Sequence, residues 1–395
     1  MPRLIRYILA ELTKVFLLSL TVFTLLMIII GVVREAIMRS LPPAQVVWLI
    51  PYILPHALKI TVPVTLLLAT TTVYGRMSGS NEVLALKSLG IPPTTILWPT
   101  LVGAFLISLV TVWLNDLAVS WGRQGAEQVV IDAVEEIAYS MLRTQRHYSS
   151  SGFAINVKRV EDRKLIHPTL TLSARGNTPA VTMMAEEAEL RSDHVENVLR
   201  IILRKGRIDV EGRGTAYFPD VYEQEIPLTD ASRADTGPAS PSALAMRVIA
   251  DQVAKQYETI QRCEQEQAAR AAYQMLCGEF DELAGAEWDN SAQQLLSHRH
   301  LLYRLLTEPH RRWSAGFSCL CFVWVGAPMA IWLRNRDFLT SFFLCFTPIL
   351  VVYYPLLAYG IDGAKNGTIP PWSVWAGNVI LVVWGLYLLR KVVRY

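Results

Sequence analysis

The chain of 395 residues lacks the short motifs by which a protein hydrolyses anything by itself. No Gly-x-x-x-x-Gly-Lys-Ser/Thr loop occurs, so no glycine-rich backbone cradle for nucleotide phosphates is available, and any use of ATP falls to a partner. There is no nucleophile elbow and no His-Glu-x-x-His pair, and the 7 histidines are scattered, which leaves an enzyme reading with no catalytic residues to name. Cysteine is scarce. Cys319, Cys321 and Cys345 sit in apolar runs, and Cys263 and Cys277 have no zinc-like spacing, so neither a disulfide framework nor a metal site is implied. Charge is scarce too, at 18% of residues, and a net +3 on so long a chain gives no argument for nucleic acid.

What the chain has instead is apolar sequence, 52% of it, in long stretches from which charge is excluded. A bilayer core of roughly 30 Å needs about 20 apolar residues as helix, because hydrocarbon offers no partner to an unpaired backbone amide. Five stretches meet this without an internal charge: 15–33, 88–114, 313–333, 338–361 and 366–389. A sixth, 55–74, holds Lys59 near one end, where its stem can carry the ammonium to the headgroups. The stretch 41–58 is apolar as well, but Pro42, Pro43, Pro51 and Pro55 interrupt it and it reads as interfacial.

Six spans place Arg3 and Arg6, Arg76 and Lys87, Arg334 and Arg336, and Arg390, Lys391 and Arg394 all on the cytoplasmic side; a seventh before Arg76 would break that rule. The first run is longer than a signal-peptide core and lacks an Ala-x-Ala-like end, so it reads as a retained anchor.

The polar interval between spans three and four then lies outside the cytoplasm. From 152 to 228 apolar and polar residues alternate, as in Leu199-Arg200-Ile201-Ile202-Leu203-Arg204. Gly152, Gly176-Asn177, Gly206, Gly212 and Gly214 read as turns of a small β domain. From 242 to 307 Leu244, Val248, Val253, Tyr257 and Ile260 recur at helical intervals, and Gly285 with Trp288-Asp289-Asn290 suggests a hairpin, joined to the β domain by the linker 236–241. His298, Arg299, His300, Arg304, His310, Arg311 and Arg312 gather near its end, as an anionic-headgroup face or simply a solvated one.

The fold class is therefore an α+β membrane protein. Residues 1–116 carry three spans and a connecting helix at 80–90, 117–235 a β domain, 236–311 a helical insertion, and 312–395 three more spans.

The connecting segment 78–93 reads as a short helix. Ser80 or Asn81 can accept from its first amides, Gly90 suits a left-handed C-terminal position, Pro92 prevents continuation, and Val83, Leu86 and Leu89 would share a face. It reads either as an amphipathic helix lying on the bilayer or as a coupling helix seated in a cytosolic motor, with Glu82 paired to a basic residue there.

Several motifs resemble the LptF/LptG (YjgP/YjgQ) permeases of lipopolysaccharide export. They are Arg6-Tyr7-Ile8-Leu9-Ala10-Glu11-Leu12-Thr13-Lys14, Tyr74-Gly75-Arg76-Met77-Ser78, Asn81-Glu82-Val83-Leu84-Ala85-Leu86, Leu89-Gly90-Ile91, Gly326-Ala327-Pro328, Tyr353-Tyr354 and Gly367-Thr368-Ile369-Pro370-Pro371.

The resemblance implies a bacterial inner-membrane protein with both termini cytoplasmic and a periplasmic β-jellyroll. It further implies a second such permease or a second copy, a cytosolic LptB-like ATPase that uses ATP, and a periplasmic LptC/LptA-like bridge that receives lipopolysaccharide or a related glycolipid. It puts Glu82 at the family's ATPase-contacting glutamate, with Val83, Leu86 and Leu89 of the same helix completing the coupling set, and Arg34 at a lipid-phosphate position with Arg39 just beyond it; the alternative reading is that both arginines simply end the span at the headgroups. Lys59 is a further lipid-binding candidate on its position alone. Gly31 stands where some relatives carry a basic residue, and the helical insertion has no counterpart. A mechanotransmitting ABC subunit or an envelope scaffold are the alternatives.

Overall fold

The computed structural model describes residues 2–39, 43–123, 125, 129, 134–150, 153–161, 163–172, 181–193, 198–210, 214–227, 241–278, 285–333 and 338–394. Chain order begins with four helices: α1 (Pro2–Arg39), α2 (Pro43–Gly79), the short α3 (Glu82–Ser88) and α4 (Pro93–Leu117), which runs on as a π-helical turn over Ala118–Arg123. Then come α5 (Val134–Gln145) and the strands β1 (His147–Ser150), β2 (Phe153–Asn156), β3 (Arg159–Glu161), β4 (Lys164–Ile166), β5 (Thr169–Leu172), β6 (Val181–Asp193), β7 (Val198–Val210) and β8 (Gly214–Pro227). Finally α6 (Met246–Cys277), α7 (Ala286–Trp332), α8 (Phe338–Pro348), α9 (Tyr354–Lys365) and α10 (Ala376–Arg394) follow. Among the described residues six helices are long and apolar enough to cross a membrane, three on each side of the strands. The chain is a multi-pass α+β membrane protein.

Two compact units divide the chain: residues 1–27, 55–120 and 241–395 form the first, and 28–54 with 121–240 the second.

In the first unit α7 is the central helix. Its most apolar window is 78% buried, against 11% for α1 and 22% for the span that includes α9. Ile8 and Leu12 of α1, Leu66, Tyr74 and Met77 of α2, Ile96 of α4, Val323 and Ala327 of α7, and Val392 of α10 share one core. Hydroxyls inside the spans return their protons to the previous turn: Thr65 donates to the Thr61 carbonyl at 2.8 Å and Thr70 to Leu66 at 3.0 Å.

The prolines of 41–58 do not interrupt this architecture as the sequence suggested. Helix α2 starts at Pro43 and passes through Pro51, Pro55 and Pro63 to Gly79. Pro43 occupies the first turn, where its missing N–H is not needed, and each later proline removes one hydrogen bond from a helix held by its neighbours. Pro42 itself lies outside the described residues.

The hairpin differs as well. Trp288, Asp289 and Asn290 are already inside α7, which begins after Gly285, while α6 closes at Gly278 with φ 76°. The Trp288 indole N–H donates to Gln274 Oε1 at 2.9 Å, and Gln267 Nε2 and Gln256 Nε2 donate to the carbonyls of Ser291 and His298. Span four and the second arm of the hairpin are therefore one helix of 47 residues. Arg334, Arg336 and the linker residues 236–240 lie outside the described residues.

The second unit is a curled antiparallel sheet of jellyroll type. The order is β1-β2-β5-β6-β4-β3, with β7 on the other edge of β6 and β8 beyond it. One edge of β6 is shared in sequence, Val181 to Met184 by β5 and Glu187 and Ala188 by β4, and the other is covered by β7. Leu199, Ile201 and Leu203 point into the core while Arg200 and Arg204 point away, the two-residue period of a half-buried strand.

Gly206 marks no turn here. It sits inside β7, at a bulge where Lys205 takes φ 48°, and a Cβ there would lie 2.1 Å from the Met184 carbonyl. Gly214 opens β8; Gly152, Gly176, Asn177 and Gly212 lie outside the described residues.

Helix α5 lies against this sheet through Ala138, Tyr139 and Leu142. The Tyr139 hydroxyl accepts from the Leu190 N–H at 2.9 Å and donates to the Arg163 carbonyl at 2.6 Å, and burial holds its pKa above the ordinary phenol value. Tyr139→Phe should lower the thermal stability of this unit by about 1–3 kcal/mol, since it orphans a buried N–H. Because the folded pKa is raised, the phenol's contribution is complete below the ordinary phenol pKa and fades as pH rises through the folded value, so the variant should differ from wild type least at strongly alkaline pH.

Candidate functional site

Two residues, Ser80 and Asn81, reverse the chain between α2 and α3. The Asn81 backbone is left-handed, φ 63°, and no side-chain cap reaches the first amides of α3. Ser80 belongs to the tail of α2: its hydroxyl lies 2.9 Å from the Arg76 carbonyl and 2.9 Å from Glu82 Oε1 and is a donor to one or the other. The N-terminal cap read from the sequence is thus replaced by a turn that spends Ser80 on the helix before it.

The C-terminal end is as the residues predict. Gly90 takes φ 79°, its N–H donates to the Lys87 carbonyl at 2.9 Å, and the Ile91 N–H donates to Leu86 at 3.1 Å. This pair of bonds is the Schellman closure, and Ile91 and Leu86 pack against the same core.

The faces of α3 divide the coupling set. Val83 is buried and Leu86 is packed inward, whereas Leu84 and Leu89 are exposed, Leu89 at 75%. Leu89 is the C-cap residue and sits about 120° round from Val83 at 3.6 residues per turn, so the three do not share a face. Glu82 is partly exposed at the start of α3, as suits a carboxylate near the positive end of a helix. Leu84, Ala85 and Leu89 form the outward apolar strip beside it.

This segment is where distant parts of the first unit end. Ser78 Oγ donates to the Ile331 carbonyl of α7 at 2.8 Å, and Lys87 Nζ donates to the Val392 carbonyl of α10 at 3.1 Å. Lys391 sits 4.1 Å from the centre of the Trp332 ring, joining those two helix ends. Glu11 of α1 pairs with Arg76 at 3.0 Å and with Lys14 at 3.4 Å. In sequence Lys87 was read only as a topology signal. Its position in the last turn of a helix was the available clue.

The lipid candidates separate between the two units. Arg34 is exposed on the part of α1 within the second unit, and Arg39 ends that helix with its side chain outside the described residues. A Cβ on Gly31 would stand 3.1 Å from Ile53 Cγ2, so a small residue lets α1 and α2 approach there and a basic side chain would have to push Ile53 aside.

Lys59, in the first unit, is half-buried in the field of Arg311, Arg312 and Glu308. Arg312 is 2% exposed. It donates from Nη1 to Asp116 Oδ1 at 2.9 Å and from Nη2 to the Leu244 carbonyl at 2.6 Å, and Asp116 Oδ1 also accepts the Met246 N–H at 2.8 Å. Glu308, equally buried, takes Arg311 at 2.8 Å. Arg299 pairs with Glu264. Three members of the basic run 298–312 are thus paired with carboxylates of the chain, and Lys59 lies in the field of that cluster. Asp116, directly after an apolar span, was the sequence signal for this lock.

Six spans split evenly in sequence around a curled sheet, with a two-residue turn and a short helix closed at its C-terminal end between spans two and three, define a multi-pass membrane protein. The family described as "Lipopolysaccharide export system permease LptF/LptG" matches residues 6–391. The chain belongs to that family, the permease of the lipopolysaccharide export system, whose members are not themselves catalytic. No curated protein matches the chain in sequence.

Removing one partner of a buried pair leaves a desolvated charge, so Arg312→Ala should destabilise the detergent-solubilised chain by about 3–5 kcal/mol in thermal unfolding. Arg200→Ala, which breaks a solvent-exposed pair to Glu225 on the sheet, should stay within about 1 kcal/mol.

Proposed function

We propose that this chain is a permease subunit of an ABC transporter that lifts lipopolysaccharide or a related glycolipid out of the bacterial inner membrane and passes it to a periplasmic bridge. The observation that carries the reading is α3. It is a capped helix fixed to the bundle by Val83 and Leu86, and it offers Glu82, Leu84 and Leu89 to the outside. An LptB-like ATPase, which binds and hydrolyses the ATP, docks on that strip. With the basic residues of the span ends facing inward, α3 and both termini are cytoplasmic and the sheet is periplasmic.

A second LptF/LptG-type permease, or a second copy of this chain, completes the path. The apolar faces left uncovered support this: Leu18, Val22 and Leu25 on α1, and Phe343, Leu350 and Val351 on span five, are all more than half exposed. Two such bundles would enclose a bulky amphiphile between their apolar faces, and the basic candidates for its phosphates are Arg34 and Arg39 in the second unit and, separately, Lys59 in the first. The lipid leaves along the sheet. Strand β8 pairs only with β7 among the described residues, and so long an open edge suits strand addition by an LptC/LptA-like bridge. A second reading, a mechanotransmitting subunit, draws on the unbroken α7 that joins span four to the external hairpin.

Glu82→Lys should lower recovery of the ATPase with the affinity-purified chain at least about tenfold, as for a buried interfacial charge pair that is reversed. Unchanged recovery would remove Glu82 from the motor contact. A photo-crosslinker at position 34 should capture a phosphorylated glycolipid; capture of ordinary phospholipid alone would defeat the substrate assignment and leave the permease architecture standing.

A further inference from the structure

We infer that Lys87 and Ser78 are positioning residues that carry the movement of α3 into spans six and four separately. The inference rests on the coupling reading of α3 given above and adds to it the route inward.

The last carbonyls of a helix have no partner inside it and must take one from outside the helix. Val392 lies in the last turn of α10, which ends at Arg394, and Ile331 in the last turn of α7, which ends at Trp332. Each carbonyl takes its hydrogen bond from the segment that frames α3, across 305 residues of sequence for Val392 and 253 for Ile331. The ammonium of Lys87 adds charge complementary to the negative end of α10.

Val83 and Val392 share one core, but packing beside the Lys87 tie is incomplete. A cleft of about 180 Å³, bounded by Leu84, Lys87, Ile331, Trp332 and Val392, opens between α3 and the two helix ends. A displacement of α3 therefore either takes the end of α10 with it through Lys87 or breaks that bond. Ser78, at the end of α2, does the same for α7. Since α7 runs unbroken from Trp332 back to Ala286, the Ser78 tie reaches the external hairpin directly, whereas the Lys87 tie reaches span six first and α7 only through the Lys391–Trp332 contact.

Hydrogen exchange on the complex of chain and ATPase, with and without ATP plus vanadate, separates these routes without a lipid substrate. In wild type, peptides covering α3, the α7 end (residues 329–333) and the α10 end (residues 388–394) should all change with nucleotide. Lys87→Met should leave the α3 and α7 responses in place and reduce the α10 response at least about threefold, the size of a single lost coupling contact. Lys87→Arg, which can still donate to the carbonyl, should restore it, and Ser78→Ala should show the converse, losing the α7 response and keeping that of α10. A role in folding alone would raise α10 exchange equally in both nucleotide states and leave the difference intact, which would overturn the inference. So would an α10 response in Lys87→Met equal to wild type, or loss of ATPase binding in that variant, which would make Lys87 a motor contact. If α3 itself fails to respond in wild type, the coupling reading falls first and the inference with it.

Discussion

Hydrocarbon cannot satisfy a backbone carbonyl, and most of the first unit can be understood as a response to that constraint. The helices are long because every residue within the bilayer must pair with its own chain. Threonines in α2 fold their hydroxyls back onto the previous turn, and Asn378 donates to the Ser314 carbonyl and hydroxyl, so polar side chains inside the bundle supply each other. At the helix ends the last carbonyls have no partner within their own helix, and the need for one is met from elsewhere. At one end of the bundle Ser78 and Lys87 meet it, and because both frame α3, the solution to a hydrogen-bonding problem places the connecting helix in contact with two spans that are remote in sequence.

Midway along α7, where its apolar span meets the hairpin arm, an ion cluster plays the corresponding part. Asp116 terminates the third span where the chain leaves for the sheet, and Leu244 and Met246 are where it returns. Arg312 bonds to the first two directly and reaches the Met246 N–H through Asp116. Buried ion pairs are seldom the most stabilising choice for a core, but they fix one arrangement against others. Here the arrangement fixed is the exit and re-entry of the polypeptide, at the base of the hairpin that α7 carries. Helix α7 is thus tied at its last turn and again at its middle, and its most apolar window is 78% buried, against 11% for that of α1.

Charge exclusion made the three-plus-three plan legible in the sequence, because the free energy of placing a charge in hydrocarbon is large enough to pattern the whole chain. Alternation made β7 legible for the same reason at smaller scale. What sequence reasoning missed has two causes: packing between residues far apart, and element ends that fall a residue or two from where the local pattern puts them. Prolines 43, 51 and 55 look like breaks to a local reading, but α2 starts at the first and runs on through the other two, each of which costs it one hydrogen bond. Ser80 is a good cap by type and is spent on α2 by the length of the turn. Val83, Leu86 and Leu89 are apolar at helical spacing, but α3 ends at Ser88, so the third of them turns out to face away. The Schellman closure at Gly90 was readable because it needs only residues 86–91. Membership of the LptF/LptG family was readable from the order of many loose motifs, none of which is specific alone.

The central claim is that α3 has two faces with different duties, Leu89 outward to a motor and Leu86 inward to the bundle. Photo-crosslinking from these two positions in intact membranes, read by mass spectrometry, tests it most directly. The account predicts that position 89 captures a cytosolic ABC ATPase while position 86 yields only crosslinks within the chain. Capture of lipid alone at position 89, with ATPase captured from position 86 or from neither, would contradict it.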